Sequence, residues 1–340
     1  MHHPEDWTAP GAHLVADGVY RIPLPLPQDG LRAVNVYVIE TGDGLVLVDG
    51  GWALAESRDR LASALRSIGH QLSDITQFLV THIHRDHYTQ AVTLRREFGS
   101  KVSLGIGEKP ALETLRRMAT TGENPHLELL ERAGAVPLVT VLKGWSAPLD
   151  LTQWEDPDEW LTDEARLDFP DREIQVVATP GHTQGHVVFA DVKHRLLFAG
   201  DHVLPHITPS IGFEPQPPPS PLGDFLHSLA RVRALPDLRL LPAHGPVADS
   251  SHQRIDELIA HHEARLAACR ELVETGHDTA YAVAGQLPWT RRNRRFADLN
   301  LFNQVLATTE TLAHLELLVA RGELERVRDD TVARYQVARY

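Results

Sequence analysis

Phe78-Leu-Val-Thr-His-Ile-His-Arg-Asp-His-Tyr88 is the stretch on which the fold turns. Its first residues, Phe78 to Val80, are apolar and strand-like, and the chain then breaks into His82, His84, Asp86 and His87. In an extended segment alternate side chains point the same way, so His82 and His84 can grip one ion. Asp86 and His87, just past the turn, are placed for a second ion beside the first. Imidazole and carboxylate groups this crowded would otherwise desolvate one another, and a borderline ion such as zinc resolves the conflict. A solvated loop or a tag is the bland alternative. The stretch is internal and follows a buried-looking strand, which speaks against both.

His-x-His-x-Asp-His after an apolar strand resembles the metallo-β-lactamase-fold hydrolases, and the rest of that family's pattern follows in order. Ile174 to Thr179 is β-branched and breaks at Pro180-Gly-His-Thr-Gln-Gly-His186, similar to the family's Thr-Pro-Gly-His-Thr-x-Gly-His. Leu196 to Ala199 delivers Gly200-Asp201-His202, and Leu238 to Leu241 ends in Pro242-Ala-His-Gly-Pro246. The resemblance implies His82, His84 and His182 on one metal, Asp86, His87 and His244 on the other, and Asp201 between them. It implies two divalent ions, zinc first, with manganese or iron(II) as alternatives. His186 then supports or lines the site. Asp49, in the turn after Leu45 to Val48, either orients a ligand from behind, as in the family, or is an ordinary turn aspartate. The family usually has small residues after Asp-His, whereas this chain has Tyr88, Thr89 and Gln90, so Tyr88 is expected on a bulkier pocket wall.

In fold class the resemblance implies an α/β protein, a four-layer αβ/βα sandwich over residues 1–250. Val34 to Glu40 and Leu45 to Val48 flank Thr41-Gly-Asp-Gly44, a hairpin signal. Residues 1–33 carry Pro23, Pro25 and Pro27 and read as an extended lead-in or edge segment. Apolar spacing predicts helices near 55–68, 90–98, 225–232 and 251–275, the first two stopped by Gly69 and Gly99. Residues 108–168 contain two helical patterns and Trp145, Trp154 and Trp160, and read as an insertion covering the metal site. In the 251–340 domain, helices near 279–283 and 299–321 precede a β-like run at 333–337. That order resembles a winged-helix tail.

A chain of 340 residues with 42% hydrophobic residues can bury one large core and a small one. The net charge of -13 opposes general nucleic-acid binding. The cluster Arg291, Arg292, Arg294 and Arg295 keeps a local basic site open. The start of the chain lacks a basic stretch followed by an apolar one, no apolar run reaches membrane length, and Cys269 has no partner for a disulfide. A cytoplasmic protein with a small-molecule substrate is expected, without a membrane and with a homodimer compatible with the helical tail. No nucleophile elbow, phosphate loop or dinucleotide fingerprint competes. The resemblance implies hydrolysis of a small ester or thioester by hydroxide generated at the metals, with Asp86 orienting the nucleophile and passing a proton. The alternatives are a lactonase or β-lactamase-type hydrolase, and a nucleic-acid-processing phosphodiesterase that uses the tail. Aspartate at 201, where the β-lactamase branch commonly has cysteine, favours another branch.

Overall fold

Strands that are apolar on both faces need cover on both, and this chain builds two sheets of that kind. The computed structural model describes residues 6–27, 30–144, 150–290, 292–327 and 331–338. Trp145 and Arg291, singled out above, lie outside them. The first sheet sets β1 (His13–Ala16), β2 (Val19–Pro25), β3 (Ala33–Thr41), β4 (Gly44–Val48), β5 (Ile75–Val80), β6 (Lys101–Gly105) and β7 (Glu159–Leu161) side by side in chain order. The second contains β8 (Arg166–Phe169), β9 (Arg172–Ala178), β10 (Val187–Asp191), β11 (Leu196–Gly200) and β12 (Arg239–Pro242), in the spatial order β12-β11-β10-β9-β8.

The period of two sorts the side chains into layers. Tyr37, Ile39, Val46, Val48 and Leu79 of the first sheet meet Ile174, Val176, Val187, Phe189 and Phe198 of the second in one core. Their sequence neighbours Val36, Val38, Leu45, Leu47, Phe78 and Val80 face outward, under α1 (Ala55–Ser67) and α2 (Arg85–Phe98). Each such side chain contributes about 1.5–3 kcal/mol on burial. After β6 come α3 (Lys109–Thr121), α4 (Pro125–Arg132) and α5 (Val136–Leu142). On the far side, Val188, Ala190, Leu197 and Ala199 share a core with α6 (Pro221–Arg233), α7 (Ser251–Glu274), α8 (Ala280–Gln286) and α9 (Leu301–Ala320). Helix, sheet, sheet and helix make the four layers expected from the resemblance.

Three expectations need amending. Residues 108–168 hold three α-helices, not two, and their end is scaffold: β7 pairs in parallel with β6, and β8 pairs antiparallel with β9. A strand as short as β7 carries no period to read. Pro23 and Pro25 lie in β2, which has a neighbour on each side, but past the Val19–Arg21 segment paired with β1, so their missing N–H groups leave no ladder bond unmade there. Finally, α2 begins at Arg85, so Asp86 and His87 stand on its first turn and not in the preceding loop.

In the C-terminal region α8 and α9 precede β13 (Leu324–Arg326) and β14 (Tyr335–Val337), an antiparallel pair. Leu312, Leu315 and Tyr335 belong to the same apolar cluster as the outer face of the second sheet. Among the described residues no helix is long and apolar enough to cross a membrane.

Candidate metal centre

Strand ends deliver the polar residues. β4 runs into Asp49, β5 into Thr81 to His84, β9 into Thr179 to His182, β11 into Asp201 and His202, and β12 into Ala243 and His244. Loops at one edge of a rigid scaffold are where function commonly sits. Two groups form there. One ligand-type atom from each of His82, His84, His182 and Asp201 lies within 4.8 Å of the others, and the same holds for Asp86, His87 and His244.

Asp201 belongs to both groups, one oxygen to each. Its Oδ2 is 3.5 Å from His182 Nε2, while its Oδ1 is 3.3 Å from His244 Nε2 and 3.7 Å from His87 Nε2. Asp86 Oδ2 closes the second group at 3.5 Å from His244 Nε2 and 3.7 Å from His87 Nε2. In the first group, His82 Nε2 and His182 Nε2 stand 3.0 and 3.1 Å from His84 Nδ1.

The outward-facing nitrogens explain which atoms are lone pairs. His182 Nδ1–H donates to the Ser210 carbonyl at 2.7 Å, and His244 Nδ1–H to the Ala33 carbonyl at 2.8 Å. Asp49 takes the N–H of His87 Nδ1 at 2.9 Å and also accepts from the Thr81 backbone N–H and hydroxyl. Because the Thr81 hydroxyl proton goes to Asp49, its oxygen accepts from His82 Nδ1–H at 3.0 Å. Each of these imidazoles therefore has a proton on Nδ1 and turns Nε2 inward, where an ion would take its lone pair. His87 Nε2, His244 Nε2 and Asp201 Oδ1 are buried with no hydrogen-bond partner. Buried acceptors facing acceptors are costly unless a cation lies among them, so the residues present fit divalent ions of the zinc type.

Charge points the same way. Burial, with neighbouring imidazoles adding to it, holds His82 well below the ordinary histidine range and His84 at about 3, so both stay neutral as ligands must. Burial also disfavours the His87 cation, but Asp49, Asp86 and Asp201 outweigh it and push that group up to about 10. The second group thus demands positive charge.

All of His82, His84, Asp86, His87, His182, Asp201 and His244 come together. Asp49 sits behind His87 and Thr81; it adopts φ 63°, a left-handed conformation that aspartate tolerates better than most residues. His186 is buried behind Asp201: it donates from Nδ1 to Thr179 Oγ1 at 2.8 Å and accepts the Asp201 backbone N–H at Nε2, 3.2 Å away. Tyr88 does not line a pocket. It is fully buried, donates its hydroxyl to the Glu155 carbonyl at 2.6 Å and lies near Trp154, so it anchors the helical insertion to α2.

Glu108 went unread in the sequence. Fully buried, it accepts from the Ile83 backbone N–H and the Thr183 hydroxyl, and so ties the loop of His82 and His84 to the loop of His182. A lone glutamate after Gly105-Ile-Gly107 has no local signature. Burial raises Glu108 to about 7, and burial together with the charge of Glu108 raises Glu214 to about 8. Both folded values exceed the unfolded one, so between about pH 4.5 and 8 the native state holds protons that the unfolded chain releases, and stability falls as pH rises. The slope approaches about 1.4 kcal/mol per pH unit for each group that is protonated only in the native state. Relative to wild type, Glu108→Gln/Glu214→Gln is expected to flatten denaturant-unfolding stability over that window. An unchanged difference across it would contradict this.

A family model described as the metallo-beta-lactamase superfamily matches residues 29–244, and one described as the metallo-beta-lactamase-like C-terminal domain matches residues 296–338. The structure is similar to that of a beta-lactamase domain protein from Burkholderia ambifaria, with a TM-score of 0.82, 27% identity, and coverage of 99% of this chain and 98% of that one. A beta-lactamase-like protein 2 homolog of Caenorhabditis elegans is 28% identical, over 77% of this chain and 74% of its own length. A hydroxyacylglutathione hydrolase of Rhizobium johnstonii is 26% identical, over 60% of this chain and 62% of its own.

Proposed function

The chain belongs to the metallo-beta-lactamase superfamily as a metallo-hydrolase, and from that premise we propose that it hydrolyses a small ester or thioester at a centre of two divalent ions, zinc first. The observation that carries the reading is the division of Asp201, with one carboxylate oxygen toward each group of imidazoles whose protons are held on the far side. His82, His84 and His182 would hold one ion; Asp86, His87 and His244 would hold the other. Such ions, when bound, make water acidic enough to ionise near neutral pH and polarise a carbonyl.

The protein's own residues supply the rest. Asp86 has a side chain 16% exposed, which leaves it reachable from solvent beside His87 and His244. It would orient the attacking water, take its proton and return it to the departing thiolate or alkoxide. Asp49 and His186 act from behind, the first by fixing the tautomer of His87 and the second by fixing the backbone at Asp201. The acyl class is supported by the likeness to a hydroxyacylglutathione hydrolase, whose substrate is a thioester, and by the Thr179-to-His186 motif. The nucleic-acid alternative gains nothing from the tail, where Arg295 is paired with Asp298 and the whole chain carries a net charge of -13.

The test is thiol release from a panel of acyl thioesters by zinc- or manganese-loaded protein, with a chelated control. Chelator-sensitive turnover is expected. Silence with both ions bound would overturn the thioester reading and turn the assay to esters, lactones and β-lactams. Asp49→Asn is expected to lower zinc affinity or turnover by about 10–100-fold, the usual consequence of releasing a ligand's supporting bond. Competition against a chromogenic chelator measures it, and unchanged affinity would make Asp49 an ordinary turn residue.

A further inference from the structure

We propose that α7 and α9 carry a further divalent-ion site, outside the centre described above, with His261, His262 and Glu310 as its ligands. The two helices pack with His262 and His314 fully buried between them. Buried polar groups are expected to be satisfied, and following the protons shows that one is not. His314 Nδ1–H donates to the Glu310 carbonyl at 2.7 Å, one turn back along α9. Its Nε2 is therefore an acceptor. His262 Nδ1 lies 3.2 Å away and must be the donor, which leaves His262 Nε2 as a bare lone pair. That atom is buried and has no partner.

What surrounds it is also electron-rich. A ring nitrogen of His261, one of His262 and a carboxylate oxygen of Glu310 lie within 4.8 Å of one another. Since Nδ1 of His262 is engaged with His314, Nε2 is the nitrogen free to ligate.

The neighbouring cations are committed elsewhere. Arg265 donates to the Pro288 carbonyl at 2.8 Å and stacks 4.1 Å over the Trp289 ring. Arg254 bonds the carbonyls of Leu204 and Ile207 and pairs with Glu257. Their charges oppose an ion and make the site weaker than one built without them. Two imidazole nitrogens and one carboxylate oxygen form a donor set that suits zinc or a similar transition ion. His262 handing its other N–H to His314 is the supporting bond that ligating histidines habitually make. His261 is solvent-exposed, which gives an ion its way in, and the bound ion would fasten α7 to α9.

The test counts zinc per chain on the full-length protein equilibrated at micromolar free zinc, for wild type, His261→Ala and Glu310→Gln. Each variant is expected to hold one ion fewer than wild type. Being a difference, the result does not depend on how many ions the other centre holds. In chelator, the melting temperature of His261→Ala should equal that of wild type, and the increment added by zinc should be smaller in the variant. An unchanged ion count in either variant, or an unchanged zinc increment in His261→Ala, overturns the site.

Discussion

His84→Ala is expected to leave the fold standing and to abolish turnover. His84 is the N-cap of α2, yet its side chain makes no capping hydrogen bond, so its removal takes nothing from the start of the helix. Its Nδ1 is the atom that His82 Nε2 and His182 Nε2 both face, at 3.0 and 3.1 Å. Without it the first group keeps two imidazoles and Oδ2 of Asp201. A hydrolytic zinc normally takes three protein ligands and leaves a position open for water, so an Asp201 carboxylate drawn toward the first ion to complete that set would carry Oδ1 away from His87 and His244. The effects should therefore reach beyond one ion. The measurements are kcat on the best thioester of the panel, ions per chain, and far-ultraviolet circular dichroism. Wild-type kcat in a folded variant would sink the assignment of these residues to a two-ion centre.

The parts of the site that were legible are those whose chemistry is written in side chains at strand ends. His82 and His84 follow an apolar run, His182 follows a β-branched one, and Asp201 and His244 stand where further apolar runs stop. Each pairs a period-two signal with a residue type that packs poorly in a core. What escaped was carried by backbone or by long-range pairing. The carbonyls of Ala33 and Ser210 fix the tautomers of His244 and His182, and a carbonyl has no letter in the sequence. Glu108 matters because Ile83 and Thr183 arrive beside it, which only the folded sheets arrange. Tyr88 is different, because the signal was present. Tyr88, Ala91 and Val92 are spaced i, i+3 and i+4, the apolar stripe of a helix that starts earlier than expected, and all three are in the outer core. Reading the departure from small residues as a pocket wall overlooked that period.

Gly185→Ala is expected to cost about 3 kcal/mol and to loosen the first group of imidazoles. The loop of His182 and the segment 105–108 touch backbone to backbone. A Cβ on Gly185 would fall 2.0 Å from the Glu108 nitrogen and 2.3 Å from the Gly107 carbonyl carbon, and one on Gly105 would fall 2.2 Å from the Gly185 oxygen. The nearest atoms are backbone, with Glu108 Cγ next at 2.5 Å, so moving a side chain aside does not relieve the clash; one loop must be pushed off the other, and overpacking of this kind costs roughly 1–3 kcal/mol or more. Gly185 is not among the positive-φ glycines, so the effect is one of space and not of backbone conformation. The displacement strikes the segment that presents Glu108 to Ile83 and Thr183, and through them His82, His84 and His182. Zinc affinity should fall together with stability. Gly285→Ala is the matched control: it lies in α8 with nothing within 4 Å of a new Cβ, and should stabilise by up to about 1 kcal/mol through helix propensity. Denaturant midpoints and zinc competition on both variants decide the matter. A Gly185→Ala protein as stable as wild type, with unchanged zinc affinity, would mean that the contact between the loops does not hold the imidazoles in place.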